Sequence, residues 1–149
     1  MRSQKYKNNC SFASSFKIKY GMIQYLKKYP LTWLTIATIL YLSFFKPPQT
    51  DMEEIPGIDK LAHICMYGGL CLLLWIEYLR THSTINWKKI TIEGILFPIA
   101  FSGCIELAQS YLTEHRGGDW QDLIANTIGV LLATLVGYYI LRPIIWKKK

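Results

Sequence analysis

The sequence predicts an all-α fold, a transmembrane bundle of four helices, and three observations carry the prediction. Apolar residues gather in four long stretches almost free of charge, in a chain that is 51% hydrophobic and only 18% charged. Prolines and short polar loops separate the stretches. Lys and Arg cluster between and outside them rather than spreading over helical faces. The mean hydropathy is positive, high for a soluble domain. With 149 residues the chain allows one such domain. The expected division is a basic leader and interfacial helix over 1–29, then the four-span domain over 30–149.

The spans follow in order, judged against the roughly 20 residues needed to cross a bilayer. The first runs from Leu31 to Phe45 and stops at Pro47-Pro48. It is short, and Met22 to Tyr29 extends it inward. It has a basic leader but no small-x-small cleavage site, so it reads as a retained anchor rather than a signal. The second runs from Leu61 to Leu79. The third runs from Ile90 to Leu112, with a kink expected at Pro98. The fourth runs from Leu123 to Leu141 and ends before Pro143. Ala125, Gly129, Ala133 and Gly137 recur every four residues in it, a stripe that lets a neighbouring helix approach closely.

The basic segments give an orientation. The leader through Lys28, the loop with Arg80, Lys88 and Lys89, and the tail from Arg142 together hold 14 of the 17 Lys and Arg. Only a topology with both termini inside places all three in the cytoplasm. The net charge of +7 is therefore a membrane pattern, and nucleic acid is excluded as a partner. Of the four cysteines, Cys65, Cys71 and Cys104 fall in apolar stretches and read as small buried residues, and Cys10 lies in the leader. Glu77 and Glu93 lie near Arg80, Lys88 and Lys89 and read as interfacial ion pairs. His82 and His115 belong to no pattern.

Polar residues recur at the outward ends of three spans. Asp59, His63 and Tyr67 step by four along the second. Glu106 and Gln109 lie near the end of the third, with Arg116 in the loop beyond. Asp119, Asp122 and Asn126 open the fourth. At a rise of ~1.5 Å per residue, Glu106 lies ~9 Å below the outer end of its span, and His63 and Asn126 lie ~3–5 Å below theirs. Charged groups facing lipid are costly, so these residues are expected to face one another in one outward-facing pocket. Bland readings stand beside this one. Asp119 reads as the N-cap of the fourth span, in a capping box with Asp122, and Asp59 as a cap of the second. His63 also fits a packed or interfacial histidine.

The run Asp59-Lys60-Leu61-Ala62-His63, followed by Tyr67, resembles the opening motif of the VanZ-like family. Glu106-Leu107-Ala108-Gln109, then Arg116-Gly117-Gly118-Asp119 and Asp122 through Asn126 to Gly129, is similar to that family's second signature. The resemblance spans about Asp51 to Leu141. It implies a small multipass bacterial membrane protein of the cell envelope. The family takes its name from a member linked to teicoplanin resistance, and the resemblance supplies no reaction.

The residues leave two functions open. One is a site that binds or modifies an envelope lipid, a lipid-linked wall precursor or a lipophilic antibiotic. Lys60 and Arg116 would hold an anionic group, with Tyr67, Gln109 and Asn126 as further ligand-binding residues. Asp59, His63, Glu106, Asp119 and Asp122 are then the candidate catalytic groups, with Asp59 orienting His63 as a base if a bond is broken. The other is a non-catalytic accessory subunit whose polar cluster fixes helix packing. Proton or ion movement is a third reading, against which no polar chain continues to the cytoplasmic side. No cofactor is expected; a divalent ion held by the acids and His63 is an alternative, although the spacing matches no known metal motif. The expected location is the bacterial plasma membrane, among lipids. Oligomeric state is left open.

Overall fold

A computed structural model describes residues 24–45, 57–112 and 119–147. The basic leader through 23, Cys10, Pro47, Pro48, Pro56, His115, Arg116 and the Gly117-Gly118 turn lie outside the described residues. All the long elements are helices, and no strand occurs among the described residues. The chain divides into two compact units, Met1–Pro30 and Leu31–Lys149. In the first, 24–28 form a helical turn and Tyr25 stacks on Tyr29 at 5.9 Å.

The larger unit contains four helices, named here α1 (Pro30–Phe44), α2 (Ile58–Thr81), α3 (Trp87–Leu112) and α4 (Trp120–Trp146). The last three are long and apolar enough to cross a membrane. At 15 residues α1 spans only ~22 Å, less than the ~30 Å of hydrocarbon. The bundle buries several polar groups within an otherwise apolar core and leaves many large apolar side chains outside. His63, Ser102, Glu106, Gln109 and Asn126 are buried, whereas Leu34, Ile124, Leu132 and Leu135 are each more than half exposed. So much exposed apolar surface suits a hydrocarbon surround.

Helices α2 and α4 form the centre. Their backbones touch at Gly68 and Gly129, where a Cβ on Gly129 would lie 2.4 Å from the Ile64 carbonyl oxygen. Ala125, Gly129, Ala133 and Gly137 are all buried, as the stripe of small residues requires. One turn beyond Ala133, Gly137 gives way to the fully buried Trp75 indole, which a Cβ there would meet at 2.5 Å.

Proline shapes the other two features. Residues Ile90–Leu96 of α3 widen into π-helical turns, and the Phe97 N–H reaches back to Ile92. Pro98 has no N–H to offer the Gly94 carbonyl four residues earlier. That oxygen accepts instead from the Cys71 thiol at 3.2 Å. A second π-helical stretch, Gly137–Leu141, absorbs Pro143 in the same manner, so α4 continues to Trp146 instead of ending before Pro143. Cys71 is buried as expected, but Cys65 and Cys104 are exposed on the bundle's apolar perimeter. Hydropathy alone does not separate the lipid side of a helix from its core side.

Glu93 pairs with Lys89 at 3.8 Å, as its position suggested. Glu77 does not follow that pattern. It is buried and accepts from the Leu31 N–H at 2.8 Å, the Thr32 N–H at 3.2 Å and the Thr32 hydroxyl at 2.7 Å. A carboxylate on α2 thus caps the start of α1, where N–H groups lack partners within the helix. Near the other end of α1, the Gln109 amide donates to the Ser43 carbonyl at 2.8 Å. Glu77→Ala is expected to lower stability by about 2–3 kcal/mol, because it orphans three donors at once. Glu77→Gln, which keeps an acceptor oxygen, is expected to lose roughly half of that. Unfolding of the purified chain in mixed micelles measures both.

Candidate functional site

The site lies where the start of α2, the end of α3 and the start of α4 meet. Gly57 enters α2 at φ 83°, a left-handed conformation that glycine adopts without cost. Asp59 and His63 follow on one face of α2. Asp59 is about half exposed, and its Oδ1 is 3.9 Å from His63 Nε2. His63 is buried, with Nε2 3.5 Å from Asp122 Oδ2 across the α2–α4 contact.

The other ring nitrogen of His63 is hydrogen-bonded. Nδ1 is 3.1 Å from Asn126 Oδ1. The Asn126 amide nitrogen donates to Ser102 Oγ on α3 at 2.6 Å. With its NH2 committed to Ser102, Asn126 presents its carbonyl oxygen to the ring, so His63 Nδ1–H is the donor in this bond. The orienting partner within hydrogen-bond distance is therefore Asn126, and Asp59 lies beyond that range. Asn126 and Ser102 are fully buried, which makes this a dry link across three helices.

Tyr67, one turn below His63, sits against Ser102 with Glu106 nearby, and its ring packs on Phe101 at 6.5 Å. Glu106 is buried and accepts from the Asp119 backbone N–H at 3.3 Å. Asp119 is the N-cap of α4 and accepts from the Gln121 N–H at 2.9 Å. Its own N–H thus goes to Glu106 on α3, not to Asp122 as a capping box would have it. Asp122 is free of that role and turns toward His63.

The structure brings Asp59, His63, Asp122 and Asn126 into one cluster, and joins Tyr67, Glu106 and Asp119 to it through Ser102 and the α4 N-terminus. Lys60 is half-buried at the same end, close enough to act on the Asp122 charge. Gln109 is drawn away to α1. Arg116 lies outside the described residues. Ser102 was missed from sequence, although it stands four residues before Glu106 and seven before Gln109, the spacing of one helical face.

A recess of about 410 Å3 opens beside this cluster between α3 and α4. Gly103, Leu107, Leu123 and Trp120 form its apolar wall, and Glu106 and Asp119 its polar end. It joins an oily surface to two carboxylates within one concavity.

No curated protein and no solved structure matches the chain. A family model does, over residues 3–142, which takes in every described residue of the site and all but the last residues of α4. On that match the chain belongs to the VanZ/LLP1 family.

Proposed function

We propose that this protein is a multipass protein of the bacterial plasma membrane that binds an amphiphile of the cell envelope at an outward-facing site, with both termini in the cytoplasm. The observation that carries the reading is the recess between α3 and α4. Its Leu107, Leu123 and Trp120 wall suits an acyl or prenyl chain, and its Glu106–Asp119 end suits a headgroup rich in hydroxyl or amine donors. An envelope lipid, a lipid-linked wall precursor and a lipophilic antibiotic all have that build. Family membership supports an envelope role and a link to glycopeptide resistance. Lys60 at the same end, together with Arg116, would offset an anionic part of the headgroup.

Glu106→Gln and Asp119→Asn test the site. Both keep the size of the side chain, and each is expected to weaken binding of a photoreactive glycolipid probe about tenfold, the loss of one charge-assisted hydrogen bond. Trp120 lines the recess, so its fluorescence should respond to the same probe. Unchanged crosslinking in both variants, with folded protein, would remove the recess from the reading.

A second reading rests on a separate observation. The His63–Asn126–Ser102 link is dry and ties three helices. It supports a non-catalytic accessory subunit in which the polar cluster fixes helix packing. On that reading Glu106→Gln and Asp119→Asn would change stability and leave probe binding alone.

A further inference from the structure

The geometry points to a divalent cation site formed by Asp59, His63 and Asp122, suited to Zn2+ or Mn2+. It does not depend on the amphiphile reading. The three residues come from two helices, and one ligand atom from each lies within 4.8 Å of the others. His63 Nε2 is 3.5 Å from Asp122 and 3.9 Å from Asp59. Donor atoms around a shared ion stand about 3–3.4 Å apart at metal–ligand bonds of about 2.0–2.1 Å. Asp59, about half exposed in the first turn of α2, forms the outer edge of the cluster.

Two further observations fit a cation there. The first is the ring orientation. Asn126 accepts from His63 Nδ1, which leaves Nε2 as the ring nitrogen that faces the two carboxylates. A histidine whose second nitrogen is tied by a buried amide, itself tied by a serine, is also how metal-binding imidazoles are oriented. The second is Asp122. The residue is only 9% exposed, and its Oδ1 is buried with no hydrogen-bond partner. Oδ2 is the oxygen that faces His63, and an ion held by both carboxylate oxygens would also take up Oδ1, which is costly to leave without a partner.

Three carboxylates gather at this end of the bundle: Asp59 and Asp119 oppose the Asp122 charge, and His63 and Lys60 offset it. One imidazole and two carboxylates form a nitrogen–oxygen donor set, which first-row divalent ions accept more readily than Mg2+ or Ca2+ do. Three protein ligands leave a coordination position for an oxygen of another molecule, as open zinc sites do. The ligands lie four residues apart on α2 and far along the chain on α4, so no linear spacing motif reveals them.

The test uses the full chain in detergent, stripped with chelator and dialysed against Zn2+ alone, with bound metal counted by elemental analysis. One tightly bound ion per chain is expected. His63→Ala should abolish it, and Asp59→Asn should weaken it at least tenfold. Asp59 is exposed, so that variant keeps the fold. His82→Ala, at the far end of α2, should bind as the unaltered chain does. Co2+ in place of Zn2+ should give a visible d–d absorption that His63→Ala removes. If a proton on Nε2 fills the gap instead, the unaltered chain binds no ion, which overturns the inference. Equal binding in all four proteins overturns it too, as does a loss confined to His63→Ala.

Discussion

Gly129→Ala is expected to cost about 3 kcal/mol of stability, the upper end of what overpacking a helix contact costs. The new methyl would lie 2.4 Å from the Ile64 carbonyl oxygen and 3.1 Å from the Gly68 nitrogen. These are backbone atoms, so no rotamer change relieves the clash, and α2 and α4 must move apart by most of an ångström. Asn126 lies one turn before Gly129, and His63 is next to Ile64. The separation therefore lengthens the His63–Asn126 bond from 3.1 Å toward the limit at which it counts as a bond. Gly69→Ala is the control. A Cβ there meets nothing within 4 Å, and the change is expected to stay within about 0.5 kcal/mol. Unfolding of both variants in mixed micelles reads the difference. A Gly129→Ala chain as stable as the Gly69→Ala chain would mean that the two helices do not cross at these glycines.

Helical periodicity explains why so much of this contact was legible. The fourfold steps of Asp59, His63 and Tyr67, and of Ala125, Gly129, Ala133 and Gly137, name the faces that meet. Partners are another matter, because they depend on where helices cross. Glu77 sits three residues before Arg80, and the sequence makes an ion pair the natural reading. Only the fold brings the bare N-terminus of α1 against it. Gln109 shares a face with Glu106, yet it reaches the Ser43 carbonyl on α1. Ser102 carries too little polarity to stand out in an apolar stretch, though its spacing from Glu106 marked the face. Cys65 and Cys104 show the limit in the other direction. In a membrane bundle an apolar position serves equally well outside, so hydropathy does not rank depth. The π-helical turns before Pro98 and Pro143 depend on how neighbouring groups take up the freed carbonyls. Composition does not encode that.

Asn126→Ala is expected to lower stability by about 2–3 kcal/mol and to act on all three helices at once. The substitution removes the acceptor for His63 Nδ1–H and the donor to Ser102 Oγ, both in a region without exposed surface. Two lost bonds at about 1 kcal/mol each would give the lower figure, and an orphaned imidazole N–H adds to it. The total stays modest because helices unfolded within a membrane find substitute partners. A double-mutant cycle with His63→Ala isolates the link. The paired variant should be less destabilised than the two singles added together, by roughly 1 kcal/mol. Strict additivity would show that the two side chains do not interact. The same substitution releases the His63 ring from its orienting bond, so it should also weaken Zn2+ binding about 10–100-fold, although Asn126 is not among the proposed ligands. Ser102→Ala leaves the His63–Asn126 bond in place and should cost only about 1 kcal/mol. Stability and ion affinity would then fall together in Asn126→Ala and far less in Ser102→Ala, because the ring is held directly by Asn126 and only through it by Ser102.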